Sequence, residues 1–313
     1  MKVVFLGTPD FGVPALSKIM EHHQVVGVVC QPDKVGARGK VEFCAVKKFA
    51  LANNLPLFQF EKISRDGVDT LRALAPDIMV TAAYGQILSQ EVIDIAPHGI
   101  INIHGSLLPK LRGAAPIQYA VLLGLHKTGI TILNTVRKVD AGEIILQKEL
   151  QIAPYETNGE LFERMSNLGA EAVVEALHLI ETGKAVYTPQ VDEEATFCSK
   201  ITAEQECIDW SKPSNEIINL VRALNPSPAA WTSCDGKRLK IYALRPCDNE
   251  YHGVAGVQGV AGEVVECGKK TLAVMCGDGK AVYVTELQAE NARRMDIISF
   301  LNGRKIAVGT VLK

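Results

Sequence analysis

The sequence predicts an α/β protein, with a mostly parallel sheet covered by helices on both faces and a small β-barrel after it. Three observations carry this. Near-continuous apolar runs, residues 2–7 (KVVFLG), 25–30 (VVGVVC) and 77–83 (DIMVTAA), alternate with helix-like stretches. Strands apolar on both faces belong to a parallel sheet buried on both sides. From Ile208 the texture changes to short strands parted by turn signals, as in WTSCDGKRLKIYALRP and GEVVECGKKTLAVMCGDGKAVYVTELQ, the pattern of a small barrel. A chain of 313 residues is long for one domain and comfortable for two. Residues 1–189 are expected to form a Rossmann-like catalytic domain, 190–207 a linker and 208–313 the second domain.

In chain order, the strand at 2–7 runs into the loop GTPDFGVP. It is neither a dinucleotide fingerprint nor a P-loop, since both spacings are absent. After the strand at 25–30, residues 33–48 hold five basic and two acidic side chains around Gly36 and Gly39, a flexible basic loop. A helix over 46–53, a strand over 57–60, a helix over 69–75 and the strand at 77–83 follow. Thr157 and Glu160 form a capping box ahead of a long amphipathic helix that stops at Gly183. Residues 184–207 are polar and lack sustained periodicity. A late helix is expected over 293–301.

One stretch organises the chain, GIINIHGSLLPKLRGAAPIQ, residues 99–118. Ile100, Ile101 and Ile103 read as a strand between two glycines. Asn102 and His104 interrupt it near its end and, being two apart, share a face. Unpaired buried polar groups cost about 1–3 kcal/mol each, so a strand that keeps two has a use for them. The carboxyl end of a buried strand is where open α/β folds place their chemistry. Residues 129–150 read as two strands around a turn with Asp140, 36 positions after His104. A carboxylate there orients or charges the imidazole. The three suit attack of an amine on a carbonyl carbon: Asn102 donates to the developing oxyanion, His104 moves protons and Asp140 holds His104.

Composition bounds the rest. No apolar run approaches the roughly 18–20 residues that span a bilayer. Met1-Lys2 leads straight into a core strand, leaving no expected signal peptide. The eight cysteines are scattered without C-x-x-C or zinc spacing, which suits free thiols in a reducing cytoplasm, with no metal and no membrane association. Residues 208–313 hold 14 basic against 11 acidic side chains and the remainder 19 against 24, a hint of a polyanionic partner for the second half.

The run NIHGSLLPKLRGAAPI, with VDAGEI further on, resembles the formyltransferase family that uses 10-formyltetrahydrofolate. FLGTPDF, QPDKVGARGK, AAYGQIL, IDW and ALNPSPAAW extend the resemblance over essentially the whole chain, toward the branch acting on methionyl initiator tRNA. It implies Asn102, His104 and Asp140 as the catalytic triplet. It implies folate contacts at Ser106, Leu107, Leu108 and Pro109 and at Tyr84, Gly85 and Gln86. It implies an OB-like barrel that helps hold tRNA, with phosphate contacts from Arg38, Lys40 and Lys34 of the basic loop and from Lys237 and Arg238, then Lys240, Arg293 and Arg294. Lys110 stands where an arginine is common in the family. The implied reaction moves a formyl group to the methionine amine of initiator tRNA, with a cytoplasmic monomer expected. Open alternatives are another folate-dependent formyltransferase acting on an amino sugar nucleotide, a formyltetrahydrofolate hydrolase, or a tRNA-binding protein without catalysis.

Overall fold

Five buried apolar or small residues in succession make Lys2–Gly7 the first strand, β1. Helix α1 (Val13–His22) follows, with Pro14 in its first turn, where no backbone donor is needed. Next come β2 (Gln24–Cys30), α2 (Ala45–Ala52), β3 (Leu57–Gln59), α3 (Val68–Ala73), β4 (Ile78–Ala82) and β5 (Ile100–His104). Helix α4 (Pro116–Leu122), strands β6 (Lys127–Asn134) and β7 (Ile144–Gln151), and the long helix α5 (Asn158–Glu181) complete this part. The structure is a computed structural model that describes residues 1–35, 39, 41–247, 258–304 and 306–313.

The seven strands form one sheet in the order β7-β6-β5-β4-β1-β2-β3. From β3 to β5 neighbours run parallel; β6 and β7 are antiparallel additions. The chain leaves β1 toward β2 and later returns to its other side as β4, so the topology reverses between β1 and β4 and opens a crevice at their carboxyl ends. One face buries Val4, Leu6, Met79 and Ile100 against Val68 and Leu71 of α3. On the other, Gly169 brings α5 so close to Ile103 that an added Cβ would sit 3.0 Å from its Cγ2. The Thr157–Glu160 capping box forms as expected: the Thr157 N–H donates to Glu160 Oε2 (2.8 Å) and the Glu160 N–H to Thr157 Oγ1 (3.3 Å).

The chain separates into two units: Met1–Pro116, Lys127–Gln151 and Phe162–Cys198 form one, Ile117–His126, Ile152–Leu161 and Ser199–Lys313 the other. Residues 190–198, which polarity alone places in a linker, pack within the first unit. Phe197–Cys198 pairs in parallel with Arg112–Gly113.

In the second unit, α6 (Ser214–Ala223) precedes β8 (Ala230–Cys234), β9 (Lys237–Pro246), β10 (Val264–Cys267), β11 (Leu272–Met275) and β12 (Ala281–Ala289), which form an antiparallel sheet in the order β8-β9-β12-β11-β10. The chain end bridges its two edges. Lys313 donates to the Ser233 carbonyl (2.9 Å), while Leu312 donates to Gly262 and Val264 to Thr310 (both 2.8 Å). The result is a small barrel around Trp210, Val221, Ile241, Val274 and Leu287. The last helix, α7 (Ile297–Gly303), begins four residues after the expected Arg293. Met295–Asp296 pairs with β12 first, and Asp296 then caps the helix by accepting the Ser299 N–H (2.9 Å). No described helix is long and apolar enough to cross a membrane.

Candidate active site

Strand register brings the polar residues together. Thr81 of β4 pairs with Asn102 of β5, and His104 pairs with Thr131 of β6, all at the carboxyl end of β4 and β5. Asp140 arrives from the β6–β7 turn in left-handed backbone conformation, φ +51°. Its Oδ1 accepts from Asn102 Nδ2 (3.4 Å) and lies 3.6 Å from His104 Nδ1; its Oδ2 accepts the Gly113 N–H (2.8 Å). The three expected catalytic residues therefore converge on one carboxylate.

The partners fix what each group can do. Asp140 accepts, so the nitrogen of the Asn102 amide faces it, and Asn102 Oδ1 accepts from Thr81 Oγ1 (2.8 Å). The second N–H of that amide remains to donate elsewhere. The Leu111 carbonyl, 2.9 Å from His104 Nε2, can only accept, so Nε2 carries a proton and donates it. Nδ1 is then the working nitrogen. Its 3.6 Å separation from Asp140 exceeds a hydrogen bond and is an ion-pair distance. His104 is buried at 5 % exposure, so the ring's position is set by these few neighbours.

Thr131 builds the loop that follows β5. Its hydroxyl donates to the Ser106 carbonyl (2.6 Å) and accepts from the Leu108 N–H (3.1 Å) and Gln147 Nε2 (2.9 Å). Leu108 is buried, Leu107 is half-buried over Gly129, Ser106 Oγ donates to the Lys110 carbonyl (2.6 Å), and the Pro109 carbonyl accepts from Thr196. Of the expected folate contacts in this segment, Leu107 and Pro109 keep partly exposed apolar surface, while Ser106 and Leu108 are buried.

After β4, the Tyr84 carbonyl accepts from Thr8 Oγ1 and Gln31 Nε2 (both 3.1 Å). The Tyr84 hydroxyl is buried with no hydrogen-bond partner among the described residues, and burial pushes its ionisation up. Gly85 takes φ +89° and is exposed, and Ile87, two residues on, is 80 % exposed. The Gln86 amide is engaged within the protein, donating to the Phe60 carbonyl (2.9 Å) and accepting the Ile63 N–H (2.9 Å). These features fit a flat, partly apolar ligand met by Gly85 backbone, Ile87 and Leu107, more than by the Gln86 side chain.

The residues expected to meet phosphate divide. Lys34 is exposed on a short hairpin, Lys34–Val35 against Val41–Glu42; Arg38 and Lys40 lie outside the described residues. Lys47, counted in the same basic loop, is instead buried, because it pairs with Asp33 and donates to Gln59 Oε1 (2.9 Å). That pairing holds the Asp33 carboxyl below the ordinary carboxylate range. On the barrel, Lys237 is exposed and Arg238 stacks 4.1 Å from the Trp231 ring. Arg238 and Lys240 share a face and help line a cavity of about 390 Å³ with Gln288 and Asn291. Arg293 is exposed, and Arg294 is tied to Glu286 (2.6 Å) and stacks on Tyr242 (4.2 Å).

Residues 1–177 match the family described as formyl transferase, and residues 200–305 match its C-terminal domain. The chain belongs to the formyl transferase family. Among its relatives are the methionyl-tRNA formyltransferase of Acetivibrio thermocellus, 42 % identical over 100 % of this chain and 99 % of that one, and that of Bacillus licheniformis, 40 % identical over 99 % and 98 %. The same fold occurs in an N-formyltransferase of Helicobacter canadensis solved with folinic acid and dTDP-3-aminofucose (TM-score 0.69, 18 % identity, covering 93 % of this chain and 100 % of that one). It recurs in HypX of Aquifex aeolicus in complex with tetrahydrofolic acid, with TM-score 0.63 at 17 % identity; 97 % of this formyl transferase and 47 % of HypX align.

Sequence reasoning missed the groups that hold the triplet in place: Thr81, the Leu111 carbonyl, the Gly113 N–H, Arg112 and Gln190. Thr81 was the single hydroxyl in an apolar strand, a weak signal that could have been followed. Backbone groups leave no trace in sequence, and Gln190 lies 50 positions from Asp140.

Proposed function

We propose that this formyl transferase moves the formyl group of 10-formyltetrahydrofolate to the α-amine of methionyl initiator tRNA, supplying formylated initiator for translation. The convergence of Asn102 and His104 on the Asp140 carboxylate carries this reading, in a chain whose full-length relatives are methionyl-tRNA formyltransferases. The co-substrate supplies the electrophilic formyl carbonyl. The free N–H of Asn102 donates to the formyl oxygen as negative charge develops there. His104 Nδ1 exchanges a proton with the reacting centre, with Asp140 stabilising the charged ring. Nε2 stays bound to the Leu111 carbonyl, so the ring is held in one orientation throughout. Gly85, Ile87 and Leu107 receive the folate, and Lys34, Arg38, Lys40, Lys237 and Arg238 receive tRNA phosphates by charge.

The test is a transfer assay with 10-formyltetrahydrofolate and, in parallel, methionyl initiator tRNA, free methionine, a dTDP-amino sugar or no acceptor. Transfer to the charged tRNA alone, weakening as salt rises, supports the reading. Formate release without acceptor, or transfer to the sugar, overturns it.

A further inference from the structure

The turn carrying Asp140 is exposed, with Val139 at 59 %, yet the carboxyl itself is 11 % exposed and sharply aimed. Something must hold an exposed turn against a buried target. The tie comes from a side chain 50 positions away. Gln190 Nε2 donates to the carbonyls of both Asp140 (2.9 Å) and Gly142 (2.7 Å). Its Oε1 accepts from Nε (3.0 Å) and Nη2 (2.8 Å) of Arg112, whose side chain is fully buried. With both guanidinium donors on Oε1, the amide has only one orientation, and its nitrogen must face the turn. Arg112 Nη1 donates to Asp192 Oδ1 (2.8 Å), and Asp192 also pairs with Lys138 at the start of the same turn. The next residue, Gly113, gives its N–H to Asp140 Oδ2. Adjacent residues thus grip the turn through its backbone and through its carboxylate.

We propose that Gln190, locked by Arg112, is a positioning residue for formyl transfer that sets the Asp140 carboxylate beside His104. It touches neither substrate and acts only through Asp140. A network that merely anchored residues 190–198 would have no need to place both amide hydrogens on the Asp140 turn. The inference rests on the formyl-transfer reading for its kinetic test but not for its structural one.

The test uses the full chain with Gln190→Ala and, should that variant fold poorly, Gln190→Glu, which keeps the size and the Arg112 partner but removes both donors. Loss of alignment by about 1 Å predicts a kcat for transfer to methionyl initiator tRNA lowered about 10–100-fold, with KM for the tRNA within about twofold. In an Asp140→Ala background the same change should cost less than about twofold, because its target is gone. A loss that multiplies in full onto Asp140→Ala, or an unchanged kcat in the single variant, overturns the proposal. Amide hydrogen exchange at Gly113, bonded to Asp140 Oδ2, should speed up in Gln190→Ala. This readout needs no turnover. A wild-type protein that transfers no formyl group overturns the functional reading, whereas unaltered Gly113 exchange overturns the positioning role.

Discussion

Gly142→Ala tests whether the placement of the Asp140 turn matters. A Cβ at Gly142 would lie 1.8 Å from the Asn134 carbonyl oxygen, on backbone that cannot swing aside like a side chain. A carbon–oxygen contact needs roughly 3.3 Å, so the turn must move away from β6 by about 1.5 Å. Asn134 belongs to a sheet strand paired on both sides, so the turn yields. The two hydrogen bonds at Gly142 and Glu143 take that movement most directly, Asn134 N–H to the Glu143 carbonyl (2.8 Å) and Gln190 Nε2 to the Gly142 carbonyl (2.7 Å). At about 1 kcal/mol each the expected destabilisation is about 2 kcal/mol, or a fall of about 4–8 °C in Tm. Asp140, two residues away, moves with the turn, and misplacement on this scale predicts about a 100-fold loss of kcat. Steady-state formyl transfer with both substrates saturating, beside a thermal melt, reads both. A variant with the expected fall in Tm but kcat within about threefold of wild type would refute the link between turn position and chemistry.

Other consequences are as definite. Arg238→Ala should weaken tRNA binding and lower the salt slope of log Kd by about 1, read by titration across ionic strengths; an unchanged slope would remove Arg238 from the phosphate contacts. Glu263 is 1 % exposed and its carboxylate accepts the backbone N–H groups of Gln258, Gly259 and Val260. Glu263→Ala should cost about 3 kcal/mol or more in denaturant unfolding, and a cost below about 0.5 kcal/mol would contradict that accounting. Lys138, and after it Arg112, hold the Asp192 carboxyl below its ordinary range. A depressed folded value means that this contribution is present above the unfolded pKa of about 4 and is lost as pH falls through the folded value. Asp192→Asn should therefore show a shallower acid-side decline in Tm than wild type, and parallel declines would show that the pair adds nothing.

The sheet was legible because β1, β2 and β4 are so uniformly apolar that only burial on both faces accommodates them. That Asn102 and His104 lie together was legible because two polar residues share one face of such a strand. Other features depend on contacts that local pattern does not encode. Lys47 reads as one more cation in a basic loop until Asp33 and Gln59 close around it. Residues 190–198 read as a linker because their partners, Arg112 and Gly113, are distant in sequence. The late helix was placed early because Met295–Asp296 looks equally suited to helix or strand, and pairing with β12 decides. The Gln86 side chain is drawn into bonds with Phe60 and Ile63 that no spacing rule signals, which leaves the backbone of this loop, as expected from the resemblance, to face a ligand.

The central claim is that His104 Nδ1, between Asp140 and the substrate, moves the proton of formyl transfer. The most direct measurement is kcat for His104→Ala with saturating 10-formyltetrahydrofolate and methionyl initiator tRNA, set beside wild-type folding by circular dichroism. A folded variant slowed by about 10³-fold or more is the predicted result. A folded variant turning over at near the wild-type rate would contradict the account.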